Sequence, residues 1–264
     1  MKNRKYDVTA LGELLIDFTE NGDSAQGNPL MEANPGGAPC NVLAMLQKLG
    51  KKTAFIGKVG NDMFGNQLKK AVEEVGIDTR NLIMDHKHHT TLAFVHTYPD
   101  GDRDFSFYRD PGADMMLTKE EVQKELIEDS RIFHFGTLSS THEGVREATR
   151  HAIELAKEAG CIITFDPNLR PPLWNSLDDA RREIEYGMGK CDVLKISDNE
   201  VEFLFGTTDY DKGAALIREK YNIPLVLIDY GKMTEAAHYY QGSRELEAAP
   251  FLQEHTIETT GAGD

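Results

Sequence analysis

The sequence predicts an α/β fold: a mostly parallel sheet covered by helices, with a small β-flap attached. Three observations predict it. Short runs of aliphatic and aromatic residues are apolar on both faces, as buried parallel strands are. These runs alternate with stretches of helical periodicity, several of which stop at glycine. Two further stretches alternate residue by residue and contain turn signals, which suits short antiparallel strands.

In chain order, residues 8–11 (VTAL) read as the first strand. Residues 13–36 depart from the strand–helix alternation and carry an Asn21-Gly22 turn. Residues 41–49 (NVLAMLQKL) form a helix closed by Gly50, 54–57 (AFIG) a strand, and 66–75 a helix closed by Gly76. Residues 90–110 alternate again, with Thr91, Ala93, Val95 and Thr97 on one face and Leu92, Phe94, His96 and Tyr98 on the other, before a Pro99-Asp100-Gly101 turn. Further strands fall at 131–135, 161–165, 193–196 and 225–228, and further helices at 142–159, 178–186 and 212–220. In the first of these helices Val145, Ala148, Ala152, Leu155 and Ala159 recur at three- and four-residue steps, and Gly160 ends it. Such alternation implies right-handed strand–helix–strand units in one open sheet. These sheets bind ligands beyond the carboxyl ends of their strands. One domain over residues 1–264 is expected, with a lid formed by about 13–36 and 90–110.

Composition narrows the function. The chain has 264 residues, with 29 Lys+Arg against 44 Asp+Glu, a net charge of −15. No basic excess is available for nucleic-acid phosphates or an anionic membrane surface. Backbone N–H groups and a metal still permit nucleotide binding. Cys40, Cys161 and Cys191 are odd in number and widely spaced, which favours reduced thiols in a cytoplasmic protein over a zinc site or disulfide framework. The basic start is followed by an apolar run broken by Glu13 and Asp17, so no signal peptide is expected. His86, His88 and His89 sit on one short stretch and are expected to be solvated rather than metal-bound.

Two glycine-rich stretches carry the chemistry. The chain ends in Glu258-Thr259-Thr260-Gly261-Ala262-Gly263-Asp264. Glycines around an alanine let N–H groups converge on an oxyanion, and a carboxylate beside them can accept a hydroxyl proton. Glycines alone would signify only a turn. Near the start, Pro35-Gly36-Gly37-Ala38-Pro39-Cys40-Asn41 enters a helix. The paired glycines permit close approach by a ligand, and Asn41 offers both a donor and an acceptor suited to a sugar hydroxyl, or else caps the helix.

Together with Gly57-Lys58-Val59-Gly60-Asn61-Asp62-Met63-Phe64-Gly65, these stretches resemble the signature regions of the ribokinase/PfkB carbohydrate kinases, and within them the fructokinases. The similarity runs over essentially the whole chain. No GxxxxGK[ST] loop occurs, so a P-loop kinase is not expected. The resemblance implies a ribokinase-like three-layer α/β/α sandwich with a β-lid over the sugar. It also implies transfer of the ATP γ-phosphoryl group to a sugar hydroxyl with Mg²⁺, with no nucleic-acid or membrane partner.

The resemblance assigns Asp264 as catalytic base and Gly261, Ala262 and Gly263 as the anion hole. Asp17, Gly36, Gly37 and Asn41 match sugar contacts, although Asp17 could instead be a solvated turn residue. The stretch 101–109 is similar to the fructokinase GERxFxFYR segment, so Phe107 and Arg109 would close over the sugar, with Arg103 ordering the lid. Asp166-Pro167-Asn168-Leu169-Arg170 matches DxNxR. There Arg170 would contact the phosphates, while Asp166 would lie near the metal or pair with the arginine to hold the loop. In the family's NxxE region, alignment on ExxxLxG makes Glu200 the motif glutamate, ordering Mg²⁺ through water, and puts Ser197 at the Asn position. A literal NxxE would use Asn199 and Glu202 instead. Lys195 would stand beside the nucleotide phosphates.

Two departures qualify the match. The family's TLGxxG-like turn is here Asp229-Tyr230-Gly231-Lys232-Met233-Thr234. Gly231 is kept for the nucleotide, but Asp229 introduces an acidic group that would repel phosphates. The family also continues beyond its GAGD loop into a helix, so the C-terminal part is expected to be missing here, and a 264-residue chain to bind ATP poorly. Fructokinase is the leading expectation. A kinase for 2-keto-3-deoxygluconate, a ribonucleoside or aminoimidazole riboside, or an impaired sugar-binding regulator, are the alternatives. The lid strands offer a surface for a homodimer.

Overall fold

The computed structural model describes residues 4–97, 103–229, 237–242 and 244–248. The first half runs β1 (Tyr6–Leu11), β2 (Leu15–Asp23), β3 (Pro29–Gly36), α1 (Ala38–Lys48), β4 (Thr53–Gly60), α2 (Met63–Val75), β5 (Asp78–Asp85), β6 (Leu92–Thr97), β7 (Arg103–Tyr108) and α3 (Lys124–Glu128). The second half runs β8 (Ser130–Gly136), α4 (Glu143–Ala159), β9 (Ile162–Asp166), α5 (Leu177–Met188), β10 (Val193–Ser197), α6 (Asp198–Phe205), α7 (Tyr210–Tyr221), β11 (Leu225–Asp229), β12 (Ala237–Gln241) and β13 (Arg244–Ala248).

Among the described residues, nine strands form one sheet in the order β13-β12-β11-β10-β9-β8-β1-β4-β5. Every neighbouring pair from β11 to β5 is parallel, and the β12–β13 hairpin adds to the edge antiparallel. The strand period of two sends side chains to both faces. Val8, Ala10 and Phe55 join one core with Leu43 of α1 and Leu68 of α2. Leu11, Ala54 and Ile56 join the other, with Ala148 and Ala152 of α4 and Ile184 of α5. Helices therefore cover both faces, and the fold is the three-layer α/β class expected. Each fully buried Phe or Leu contributes roughly 1.5–3 kcal/mol to holding the layers together.

A second sheet, in the order β3-β2-β6-β7, is built from the two stretches of alternating residues. Asp17 pairs with Asn34 of β3 and with Ala93 of β6, and Ala93 pairs with Phe107 of β7. Directly paired residues share a face, so Asn34, Asp17, Ala93 and Phe107 form one row. The opposite face carries an aromatic stack in which Phe18 lies 4.8 Å from Phe94 and Phe94 lies 5.2 Å from Tyr108.

The Gly57–Gly65 stretch explains how this sheet is attached. Asp62 caps α2 by accepting from the Gly65 N–H, and it also accepts from the Thr90 N–H and hydroxyl. One carboxylate thus ties a helix start in the large layer to the entry of β6. The histidines before β6 find separate neighbours: His86 meets Asn61, His88 meets Asp85 and His89 lies near Asp62.

Candidate active site

The site assembles where the carboxyl ends of the large sheet meet the small sheet. The link between β1 and β2 brings Glu13 inside, where it is 3% exposed. Its Oε1 accepts the Ala38 N–H at 3.0 Å. Gly37, the N-cap of α1, has no side chain to satisfy that end of the helix, so Glu13 supplies the cap from another segment. Burial pushes the Glu13 carboxyl up to about 7, opposed by hydrogen bonds to its carboxylate and by the Arg109 charge. The sequence signal for Glu13 was a lone carboxylate between Leu11 and Leu14, and its role as a cap was not anticipated.

The same turn gathers the expected sugar contacts. Gly37 has φ +118°, and a β-carbon there would press into the Glu13 carbonyl. A β-carbon on Gly36 would collide with the Asp17 carboxylate. Asn41 lies in the first turn of α1, with its N–H on the Gly37 carbonyl at 3.0 Å, so it is inside the helix and not its cap. Asp17, Gly36, Gly37 and Asn41 are therefore adjacent, and Asp17 is a buried carboxylate rather than a solvated turn residue.

The small sheet adds an aromatic wall. Phe105 and Phe107 stack with centroids 5.9 Å apart, on the face that carries Asp17. The Arg170 guanidinium lies 5.7 Å from the Phe105 ring centroid, so the loop after β9 reaches this face. In that loop Asn168 takes φ +47°, a left-handed conformation that asparagine tolerates better than most residues.

Arg109, expected to close over the sugar, is held in a buried ion pair. Its Nε and Nη2 donate to Asp114 Oδ2 at 2.8 and 2.6 Å, Nη2 also to the Leu138 carbonyl, and Nη1 to the Thr141 hydroxyl. Both side chains of the pair are 2% exposed. The guanidinium is a strut locking the end of β7 to the layer below, because a buried charge needs a partner and complete hydrogen bonding.

At the ends of β9, β10 and β11 lies a charged triad. Lys195 Nζ is 3.1 Å from Asp166 Oδ2 and 2.9 Å from Asp229 Oδ2. Burial works against the ammonium, but the two carboxylates outweigh it and hold Lys195 well above an ordinary lysine. Asp166 Oδ1 also accepts the Asn168 N–H at 3.1 Å, so this carboxylate holds the loop through Asn168 and Lys195. Asp229, expected to repel phosphate, is ion-paired with Lys195, a partner it shares with Asp166.

Glu200 is buried, while Glu202 two residues on is exposed, which favours Glu200 as the residue facing inward. Ser197 and Glu200 form a capping box at the start of α6. Glu200 Oε2 accepts the Ser197 N–H at 2.9 Å and Oε1 the Leu169 N–H at 2.6 Å, bracing the residue before Arg170. Gly231, Gly261, Ala262, Gly263 and Asp264 lie outside the described residues.

These features define an α/β protein with a polar, small-molecule site between a parallel sheet and a small accessory sheet. The chain belongs to the pfkB family of carbohydrate kinases, whose pattern matches residues 5–264. It is 40% identical to Fructokinase-2 of Solanum lycopersicum over 259 residues, covering 97% of this chain and 78% of that protein. The fructokinase of Xylella fastidiosa with bound ATP superposes with a TM-score of 0.85 at 31% identity, over 97% of this chain and 77% of that one. A putative ribokinase II of E. coli in complex with ATP and Mg²⁺ gives a TM-score of 0.85 at 26% identity, over 98% and 82%. Among the described residues, no helix is long and apolar enough to cross a membrane.

Proposed function

We propose that this carbohydrate kinase is an ATP-dependent fructokinase that moves the γ-phosphoryl group of ATP to a hydroxyl of fructose. The observation that carries the site is the convergence of Asp17, the Gly36–Gly37 turn and Phe107 with the Arg170 loop on one face of the small sheet. The choice of fructose follows the relatives, which bear that name.

In this function Asp17 accepts hydrogen bonds from sugar hydroxyls, Asn41 adds a donor and an acceptor, and the two glycines let the sugar approach the backbone. Phe107 covers an apolar face of the ring. Asp264 removes the proton of the attacking hydroxyl as its oxygen bonds to the γ-phosphorus, and the bond from that phosphorus to the ADP oxygen breaks. The N–H groups of Gly261, Ala262 and Gly263, with Arg170, stabilise the charge that develops. Lys195 and Gly231 stand beside the nucleotide phosphates. The roles of Gly231 and of residues 261–264 rest on the family resemblance.

The donor set fits a hydrated Mg²⁺. Both Glu200 oxygens already accept backbone amides, yet each keeps capacity for a second donor, so Glu200 and Asp166 suit contact through the ion's waters. When bound, Mg²⁺ neutralises phosphate charge. The buried, unpaired state of Cys40, Cys161 and Cys191 supports a cytoplasmic location. The exposed Tyr108 and Leu30 support a homodimer through the small sheet, a state that sedimentation would reveal.

A coupled assay of ADP release over a panel of sugars tests the substrate. Fructose is expected to give the highest kcat/KM. Activity on a nucleoside or 2-keto-3-deoxygluconate, with none on fructose, would overturn the assignment.

A further inference from the structure

We propose that Asp229 is a built-in competitor for the nucleotide phosphates, holding the Lys195 ammonium in the place where phosphate must engage it and so setting the affinity for ATP. The inference rests on the kinase function proposed above. Three adjacent parallel strands end side by side, and each contributes one charge: Asp166 from β9, Lys195 from β10 and Asp229 from β11. The carboxyl ends of such strands are where an α/β sheet receives its ligand.

The two carboxylates are not equivalent. Asp166 is 6% exposed, and its other oxygen accepts the Asn168 N–H, so it belongs to the loop framework. The side chain of Asp229 is 30% exposed, and Lys195 is its only ion-pair partner among the described residues. Lys195 itself keeps 28% of its side chain accessible, so an anion can reach it from outside. Two carboxylates and one ammonium leave the cluster at net −1 when all three are ionised. A polyphosphate arriving there meets a cation already shared and a carboxylate pointing at the same donor. Removing the Asp229 charge leaves Lys195 paired with Asp166 alone, with N–H donors to spare for phosphate. The competing ion pair is partly exposed, so the release is worth a modest factor rather than a large one.

The test compares ATP binding by calorimetry and ATP KM for the wild-type protein, Asp229→Asn, Asp229→Thr, Lys195→Met and the Lys195→Met/Asp229→Asn pair. Both single Asp229 substitutions are expected to lower the ATP Kd and KM by about two- to fivefold, within the range of one exposed charge pair. The fructose KM should stay within about twofold, since the triad does not touch the Asp17 turn. In the Lys195→Met background the Asp229→Asn gain should vanish, because it acts through Lys195. Folded Asp229 variants that bind ATP no more tightly than wild type, or gain as much without Lys195, would overturn the inference while leaving the kinase function standing. If neither wild type nor variant binds ATP, the inference falls.

Discussion

The Asp17 carboxylate occupies the volume that a β-carbon on Gly36 would need. The two residues are diagonal neighbours across the β2–β3 pairing, where Leu15 is registered with Gly36 and Asp17 with Asn34. Glycine is thus required at this position by the neighbour it must accommodate, not by its own backbone angles. Gly36→Ala should displace the carboxylate and raise the fructose KM by at least about tenfold, with kcat less affected. Steady-state kinetics over a fructose series measures this directly. An unchanged KM would mean that Asp17 does not contact the sugar.

Gly37 fails for a different reason. Its φ of +118° is poorly available to other residues, and an added methyl would meet the Glu13 carbonyl. Gly37→Ala should cost roughly 1–3 kcal/mol of stability and weaken sugar binding together. Chemical denaturation alongside calorimetric fructose titration would separate the two losses.

Glu13 should make stability depend on pH in a particular sense. Its carboxyl is pushed from 4.5 up to about 7 by burial, against the pull of its hydrogen bonds and of Arg109. Between those values the native state holds a proton that the unfolded chain has lost. Its contribution to stability therefore falls as pH rises through that window and levels off above it. Glu13→Gln removes this slope. Relative to wild type, the variant should gain on the order of 3 kcal/mol between pH 4 and pH 8. Urea unfolding across that range would check it, and a constant difference would contradict it.

Arg109 and Asp114 should behave as a unit. Truncating one partner strands a buried charge, so Asp114→Ala should cost roughly 3–5 kcal/mol. The apolar pair Arg109→Met/Asp114→Leu should recover most of that loss in denaturation experiments. A single-variant cost below about 1 kcal/mol would argue that the pair is solvated.

Glu200 links a helix cap to the loop that carries Arg170. Glu200→Ala leaves the Leu169 and Ser197 N–H groups unsatisfied, a loss of roughly 1–3 kcal/mol. It should also raise the ATP KM by loosening Arg170. Thermal unfolding and ATP kinetics on one preparation would show both effects.

Periodicity revealed most of the large sheet, because neighbouring residues such as Phe55 and Ile56 are buried in the cores on opposite faces and carry no compensating polarity. It did not reveal β5, whose Leu82, Ile83 and Met84 are flanked by Asp78, Arg80 and Asp85. The β12–β13 hairpin carries Glu245 and Glu247 and has little apolar signal. Among site residues, Asp17 and the glycine pair were assigned through the family resemblance, and it is the β2–β3 pairing that brings them together. The Arg109–Asp114 pair was not legible because Asp114 lies five residues on, beyond any repeating pattern, and only the buried environment turns the pair into a strut. The charge of Asp229 is visible in the sequence, whereas the lysine it pairs with comes from the neighbouring strand and shows only in the structure.

The most direct measurement is a calorimetric titration of fructose into the wild-type protein and into Asp17→Ala, each checked for folding by circular dichroism. The account predicts a fructose binding isotherm for wild type and an affinity loss of at least about tenfold for the variant, with ATP binding retained. Equal fructose affinity in the two folded proteins would contradict the placement of the sugar at Asp17 and the Gly36–Gly37 turn.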